Sequence, residues 1–92
     1  MPVLKEAEVR EALKALPDWK PAGNAIRRDY QFKDFLAAMA FVNKVAESAE
    51  AANHHPDIDI RYNKVTLLLT SHDSGGVTPR DLKMAKEISA LK

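Results

Sequence analysis

Cysteine is absent from the 92 residues of the chain, which excludes disulfides and thiolate metal sites outright. No stretch approaches the ~20 consecutive apolar residues that a membrane-spanning helix needs. The opening Met1-Pro2-Val3-Leu4-Lys5-Glu6 lacks the apolar run of a secretory signal, so a cytoplasmic protein without membrane association is the expectation. Neither sign of charge dominates. Fourteen Lys and Arg against thirteen Asp and Glu leave a formal net charge of +1, mixed along the chain, which argues against a nucleic-acid binder with a basic stripe. Internal repeats and low-complexity tracts are missing too, and Gly75-Gly76 is the only glycine pair.

What is present suffices for one modest core. Apolar residues make up 46% of the chain, and the length leaves room for a single domain spanning 1–92. A domain this small buries a limited share of its surface and is often helped by self-association.

The apolar spacing predicts a helix over Lys5–Leu16, with Val9, Ala12, Leu13 and Leu16 on one face and Pro17 as the stop. Trp19–Ala22, a Gly23-Asn24 turn and Ala25–Phe32 read as a hairpin. Asp34 is placed to cap a long helix to about Ala52, ended by Asn53, a residue tolerant of the left-handed region. The apolar stripe of that helix, from Phe35 and Leu36 to Ala49, is wide enough to need burial on more than one side, so a partner subunit is expected to cover part of it. Pro56-Asp57 opens a turn into two strands, Ile58–Tyr62 and Lys64–Ser71, with Tyr62-Asn63-Lys64 between them. Thr78-Pro79-Arg80-Asp81 starts a last helix to about Leu91. The order αββαββα with short turns predicts an α+β fold: a four-stranded antiparallel sheet with three helices packed on one face.

All three histidines fall between positions 54 and 72. Imidazole can both give and take a proton near neutral pH. Glu50 and His54 stand at i and i+4 near a helix end, a spacing that would let the carboxylate orient the ring and raise its basicity. His55 precedes Pro56 and is biased to an extended conformation, so the adjacent rings point apart. The antiparallel return of the last strand should bring His72 back to His54 and His55. Duller readings compete. The histidine pair could cap a helix end, and His72 could be an exposed strand end. Asp81 could be a first-turn acid, Trp19 a core residue, and Tyr62 and Asn63 plain turn residues. A zinc or iron site is the sharper rival, but adjacent histidines rarely ligate one ion well, and no H-x-H or H-x3-H pair exists.

Glu50-Ala51-Ala52-Asn53-His54-His55-Pro56, Tyr62-Asn63-Lys64-Val65, Ser71-His72, Gly75-Gly76, Thr78 and Asp81 together strongly resemble the pterin-4a-carbinolamine dehydratases. The likeness extends upstream through Ala25-Ile26 and Phe32-Lys33-Asp34-Phe35, covering roughly residues 10–90. Ser71 stands where a threonine is common and Asp73 where a glutamate is common. The resemblance implies the αββαββα fold, no metal and no cofactor, with the pterin itself as substrate. It also implies self-association as a homodimer or homotetramer. The implied activity is dehydration of 4a-hydroxytetrahydrobiopterin to quinonoid dihydrobiopterin and water, in pterin recycling. It implies His54 and His72 as the main acid/base pair, His55 as a further contributor, and Glu50 as the group that orients or tunes His54. Asn53, His54, His55, Thr70, Ser71, His72 and Asp73 would line the pocket, Asp81 would support it and Trp19 would wall it. Some relatives also bind a homeodomain transcription factor, and others with an eroded site look like assembly chaperones. A protein partner is therefore the second functional class, and a metal-dependent hydrolase the third.

Overall fold

The computed structural model of the protein describes residues 3–91. The domain expectation for 1–92 also takes in Met1, Pro2 and Lys92, which lie outside the described residues. The elements follow the order α1 (Glu6–Leu13), β1 (Lys20–Ala22), β2 (Ala25–Gln31), α2 (Phe35–Ala52), β3 (Asp57–Arg61), β4 (Lys64–Leu69) and α3 (Pro79–Ser89).

The first helix ends three residues earlier than its apolar spacing suggests. Lys14, Ala15 and Leu16 donate instead to the carbonyls of Glu11, Ala12 and Leu13, three residues back. Such tightening is the usual exit from a helix, and Pro17 next in line disfavours a helical residue before it. Gly23 turns β1 into β2 at φ +62°, which a residue without Cβ adopts at no steric cost. Phe32 leaves the strand but stays tied to the next hairpin: its N–H donates to the Asn63 carbonyl, and Asn63 Nδ2 donates to the Phe32 carbonyl, both at 2.8 Å.

Helix α2 begins and ends on the residues expected of it. Asp34 Oδ1 accepts from the Ala37 N–H at 2.8 Å, and Asn53 stands in the left-handed region at φ 51°. Strands β3 and β4 join through a two-residue turn in which Tyr62 takes the positive φ, at 54°. The whole β3 strand accordingly starts one residue earlier than predicted. Strand β4 stops at Leu69 rather than Ser71, because Ser71 pairs with Gly76 across a tight loop. Ser71 O accepts there from the N–H groups of Ser74 and Gly75.

All strand pairs are antiparallel, in the order β1-β2-β4-β3, so β3 lies at one edge. Val65, Leu67 and Leu69 of β4 and Ile26 of β2 are completely buried. With Val9 and Leu13 of α1, Ala38, Phe41 and Val45 of α2, and Met84, Ala85 and Ile88 of α3 they form one core cluster. The three helices therefore share one sheet face. Arg27, Asp29, Thr66 and Asp59 occupy the other, in cross-strand register. At the start of α2, Leu36 is 77% exposed and Phe35 45%, so the wide apolar stripe is covered only in its later turns. No helix of the described residues is long and apolar enough to cross a membrane.

Candidate active site

The site grows from the end of α2. A left-handed Asn53 redirects the chain, and the His54 N–H closes the helix on the Ala49 carbonyl at 3.1 Å. The His54 ring is thereby carried inward, where it is buried and its Nε2 donates to Asp81 Oδ1. Asp81 is fully buried in the first turn of α3. Its Oδ2 accepts from Ser71 Oγ and from the Thr78 N–H, both at 2.9 Å. Ser71 has one hydroxyl proton and spends it on Asp81, so Thr78 Oγ1 donates to Ser71 Oγ at 2.8 Å. A buried carboxylate is costly unless hydrogen-bonded, and here all three neighbours are donors.

This arrangement fixes the tautomer of His54. Nε2 carries the proton that Asp81 accepts, which leaves Nδ1 of the neutral ring as an acceptor. Nδ1 has no protein partner and is not sealed away: among the described residues, Tyr30 Oη is the one buried side-chain polar atom without a hydrogen bond.

His55 takes the other direction. It turns back along α2, and its Nε2 meets Glu50 Oε2 at 2.9 Å on an exposed surface. The expected Glu50–His54 pair is thus corrected. The i, i+4 rule needs the helix to continue through residue 54, and the left-handed Asn53 ends it first, so the carboxylate meets the next ring instead.

His72 returns on the far end of the β3–β4 hairpin. It is exposed, with Nε2 4.0 Å from Asp57 Oδ1, too far for a hydrogen bond. Asn53, His54, His55, Thr70, His72, Asp73 and Arg80 together line one cleft of about 250 Å³. All three histidines share it, as the hairpin geometry required. The cleft is smaller than the ~300–1,000 Å³ typical of enclosing ligand sites. It suits a small flat molecule with one edge left in solvent.

Three expected site residues lie elsewhere. Ser71 is buried beneath the cleft and acts on Asp81; its hydroxyl is used up before it could reach a ligand. Trp19 is a core residue, with Nε1 donating to Ser89 Oγ at 3.0 Å, and forms no wall of the cleft. Glu50 stands outside, behind His55. Thr70 does line the cleft, but its hydroxyl proton goes to the Asn24 carbonyl at 2.7 Å, so it can offer a ligand only an acceptor. Arg80 and Asp57 were missed. Each reads in sequence as an ordinary polar residue at the start of an element, and only the folded chain shows what stands opposite. No three His, Asp or Glu side chains among the described residues are grouped to hold one metal ion.

Comparison with known proteins shows the family. The family model described as pterin 4 alpha carbinolamine dehydratase matches residues 2–91. A protein of Koribacter versatilis is 60% identical over 88 residues, covering 96% of this chain and 94% of its own length. One of Acidobacterium capsulatum is 56% identical over 91 residues, covering 99% of each. Both are provisionally named pterin-4-alpha-carbinolamine dehydratase. A crystal structure from Brucella melitensis, described as a transcriptional coactivator/pterin dehydratase, superposes with a TM-score of 0.90 at 41% identity, covering 96% of each chain. A pterin dehydratase-like protein described as a RuBisCO assembly factor in the alpha-carboxysome shares the fold at a TM-score of 0.66. At 18% identity over 79% of this chain and 84% of its own, that likeness concerns the fold alone. The chain belongs to the pterin 4 alpha carbinolamine dehydratase family.

Proposed function

We propose that the protein is a 4a-hydroxytetrahydrobiopterin dehydratase, a carbon–oxygen lyase that yields quinonoid dihydrobiopterin and water in the cytoplasmic recycling of tetrahydrobiopterin. The substrate carries a hydroxyl on ring carbon 4a, beside a ring N–H. Loss of water needs a proton delivered to the departing hydroxyl and another withdrawn from that nitrogen. The C–O electron pair leaves with oxygen, and the N–H pair becomes the new C=N bond. Imidazoles perform both transfers near neutral pH, and the reading calls for no metal and no cofactor beyond the pterin substrate.

The observation that carries this reading is the opening of three histidines onto one cleft, one of them seated on a buried carboxylate. His54 and His72 serve as the acid/base pair. Asp81 holds His54 in a single tautomer with Nδ1 free. His55 contributes to binding and transfer, and Glu50 orients His55 rather than His54. Asn53, Thr70 and Asp73 supply polar contacts to the heterocycle.

Self-association as a homodimer or homotetramer belongs to the same reading. The unpaired edge of β3 and the exposed Phe35 and Leu36 are the surfaces that invite it. A protein-partner role is the second reading, favoured by the Brucella protein's description as a coactivator and by the same exposed side chains.

The test is a rate measurement on chemically generated 4a-hydroxytetrahydropterin. His54→Ala and His72→Ala should each lower turnover by about 10²–10⁴-fold with the fold retained. Parent-like rates in both variants would contradict the assignment. Absence of turnover in the parent itself would favour the partner role.

A further inference from the structure

We propose that Arg80 is the residue that selects the oxygen-bearing edge of the substrate, its guanidinium gripping the ring carbonyl and the neighbouring hydroxyl at once. The inference rests on the pterin dehydratase reading and extends it to a side chain that the histidine chemistry leaves unused.

Arg80 directly precedes Asp81 in α3, so the rotation of about 100° between them sends Asp81 into the protein and Arg80 to the cleft. Among the described residues it is the only cationic side chain that lines the cleft beside the histidines. It also walls an adjoining space of about 140 Å³ bounded by Ala52, His54, Lys83, Met84 and Glu87. The side chain is 35% exposed, so it is held against the protein rather than extended into water.

What holds it is weak. Nη2 donates to the Asn53 carbonyl at 3.3 Å, and Nη1 lies 3.7 Å from Asp73 Oδ2. A committed guanidinium–carboxylate pair closes to about 2.7–2.9 Å, usually through both nitrogens. Guanidinium carries five N–H donors in a planar fork, and most of them are unspent here. A brace between the two walls of the cleft would be expected to show shorter contacts. Loose contacts at the rim of a polar cleft fit a residue that awaits two acceptors.

The substrate offers two. The ring carbonyl and the hydroxyl leave adjacent carbons, an α-hydroxycarbonyl whose oxygens match the spacing of a guanidinium fork. Arg80 exchanges no proton in the reaction. A histidine protonates the departing oxygen and another takes the ring N–H proton, while the fixed charge of Arg80 steadies the oxygen as the C–O bond breaks. The same grip discriminates. A pteridine with an amino group in place of the ring carbonyl presents N–H donors to a residue that has no acceptor.

The experiment is a fluorescence titration of the intact protein with 6-methylpterin and with 2,4-diamino-6-methylpteridine, which differ in the group at that position and, with it, in the proton on the neighbouring ring nitrogen. The parent should prefer the carbonyl compound by roughly 10- to 100-fold, the value of one charge-assisted contact. Arg80→Met should bring the ratio to within about threefold of unity, and Arg80→Gln, whose amide can donate to a carbonyl or accept from an amino group, should lower it by at least about threefold. A merely structural Arg80 would weaken both ligands together, so a parent-like ratio in Arg80→Met overturns the proposal. If circular dichroism shows Arg80→Met to be unfolded, an unchanged ratio in Arg80→Gln overturns it instead. Failure of the parent to bind either pteridine would overturn the underlying pterin reading.

Discussion

Replacing Asp81 by asparagine alters one terminal atom and tests the arrangement around His54 directly. The parent carboxylate accepts from three donors: His54 Nε2, Ser71 Oγ and the Thr78 N–H. Asparagine has a single acceptor oxygen. Placed where Oδ2 stood, it keeps Ser71 and Thr78 and turns its NH2 towards His54. Two donors then face each other in a buried site unless the imidazole moves its proton from Nε2 to Nδ1. Three charge-assisted bonds, worth about 1.5–3 kcal/mol each, become neutral ones worth about 0.5–1.5. Part of that loss is returned because a buried charge no longer needs compensation. A net destabilisation of about 2 kcal/mol follows, or a Tm lower by roughly 10 °C for a domain of this size. Turnover should fall much further, by about 10²–10⁴-fold, since the nitrogen left for the substrate would now donate where it had accepted. Thermal melting, turnover on the generated carbinolamine and the ¹⁵N shifts of the His54 ring measure the three effects. Parent turnover with an unchanged tautomer would refute the role given to Asp81.

Tyr30→Phe should not destabilise the protein and should gain about 1 kcal/mol, because Tyr30 Oη is buried without a partner. The Arg28 guanidinium lies over the ring, 4.2 Å from its centre, and persists in the variant. A clear drop in Tm would show that the hydroxyl is bonded after all. Burial pushes the Tyr30 phenol above its ordinary value of 10.0, with the nearby Arg28 charge opposing. The folded state therefore keeps its proton longer than the unfolded chain. That contribution is complete below pH ~10 and is lost as pH rises through the raised value, so alkaline melting curves should be flatter for Tyr30→Phe than for the parent. Glu50→Gln should leave the unfolding free energy within about 0.5 kcal/mol of the parent's, since the Glu50–His55 pair is exposed. Any change in turnover should appear in the parent and vanish with His55→Ala as background, and persistence in that double variant would show that Glu50 acts on something else.

Local signals carried the fold far. Asp34, Asn53, Gly23 and Thr78-Pro79 mark their boundaries by backbone preferences that tertiary contacts reinforce. The alternation of Val65, Leu67 and Leu69 told the sheet which way to face. The meeting of His72 with His54 and His55 was legible because a hairpin with a short turn leaves few registers. Partners were harder to read. One left-handed residue decides whether Glu50 meets His54 or His55, and spacing rules assume that no such residue intervenes. Ser71 was expected to touch a ligand because the family resemblance implied a pocket lined by residues 70–73, yet the loop that returns through Gly76 turns its hydroxyl inward. Trp19 could have been wall or core, and only the position of Ser89, seventy residues later in the chain, settles it. Arg80 gave no periodic signal at all; what marks it is the carbonyl and carboxylate that the fold sets loosely in front of it.

The carboxylate at position 81 holds two posts. It accepts the Thr78 N–H at the threshold of α3 and also seats the imidazole of His54. Whatever frays that helix must loosen the ring, and whatever unseats the ring deprives the helix of its opening bond. Loss of catalysis on warming should therefore track collapse of the whole fold, with no temperature at which the protein is still intact but already silent.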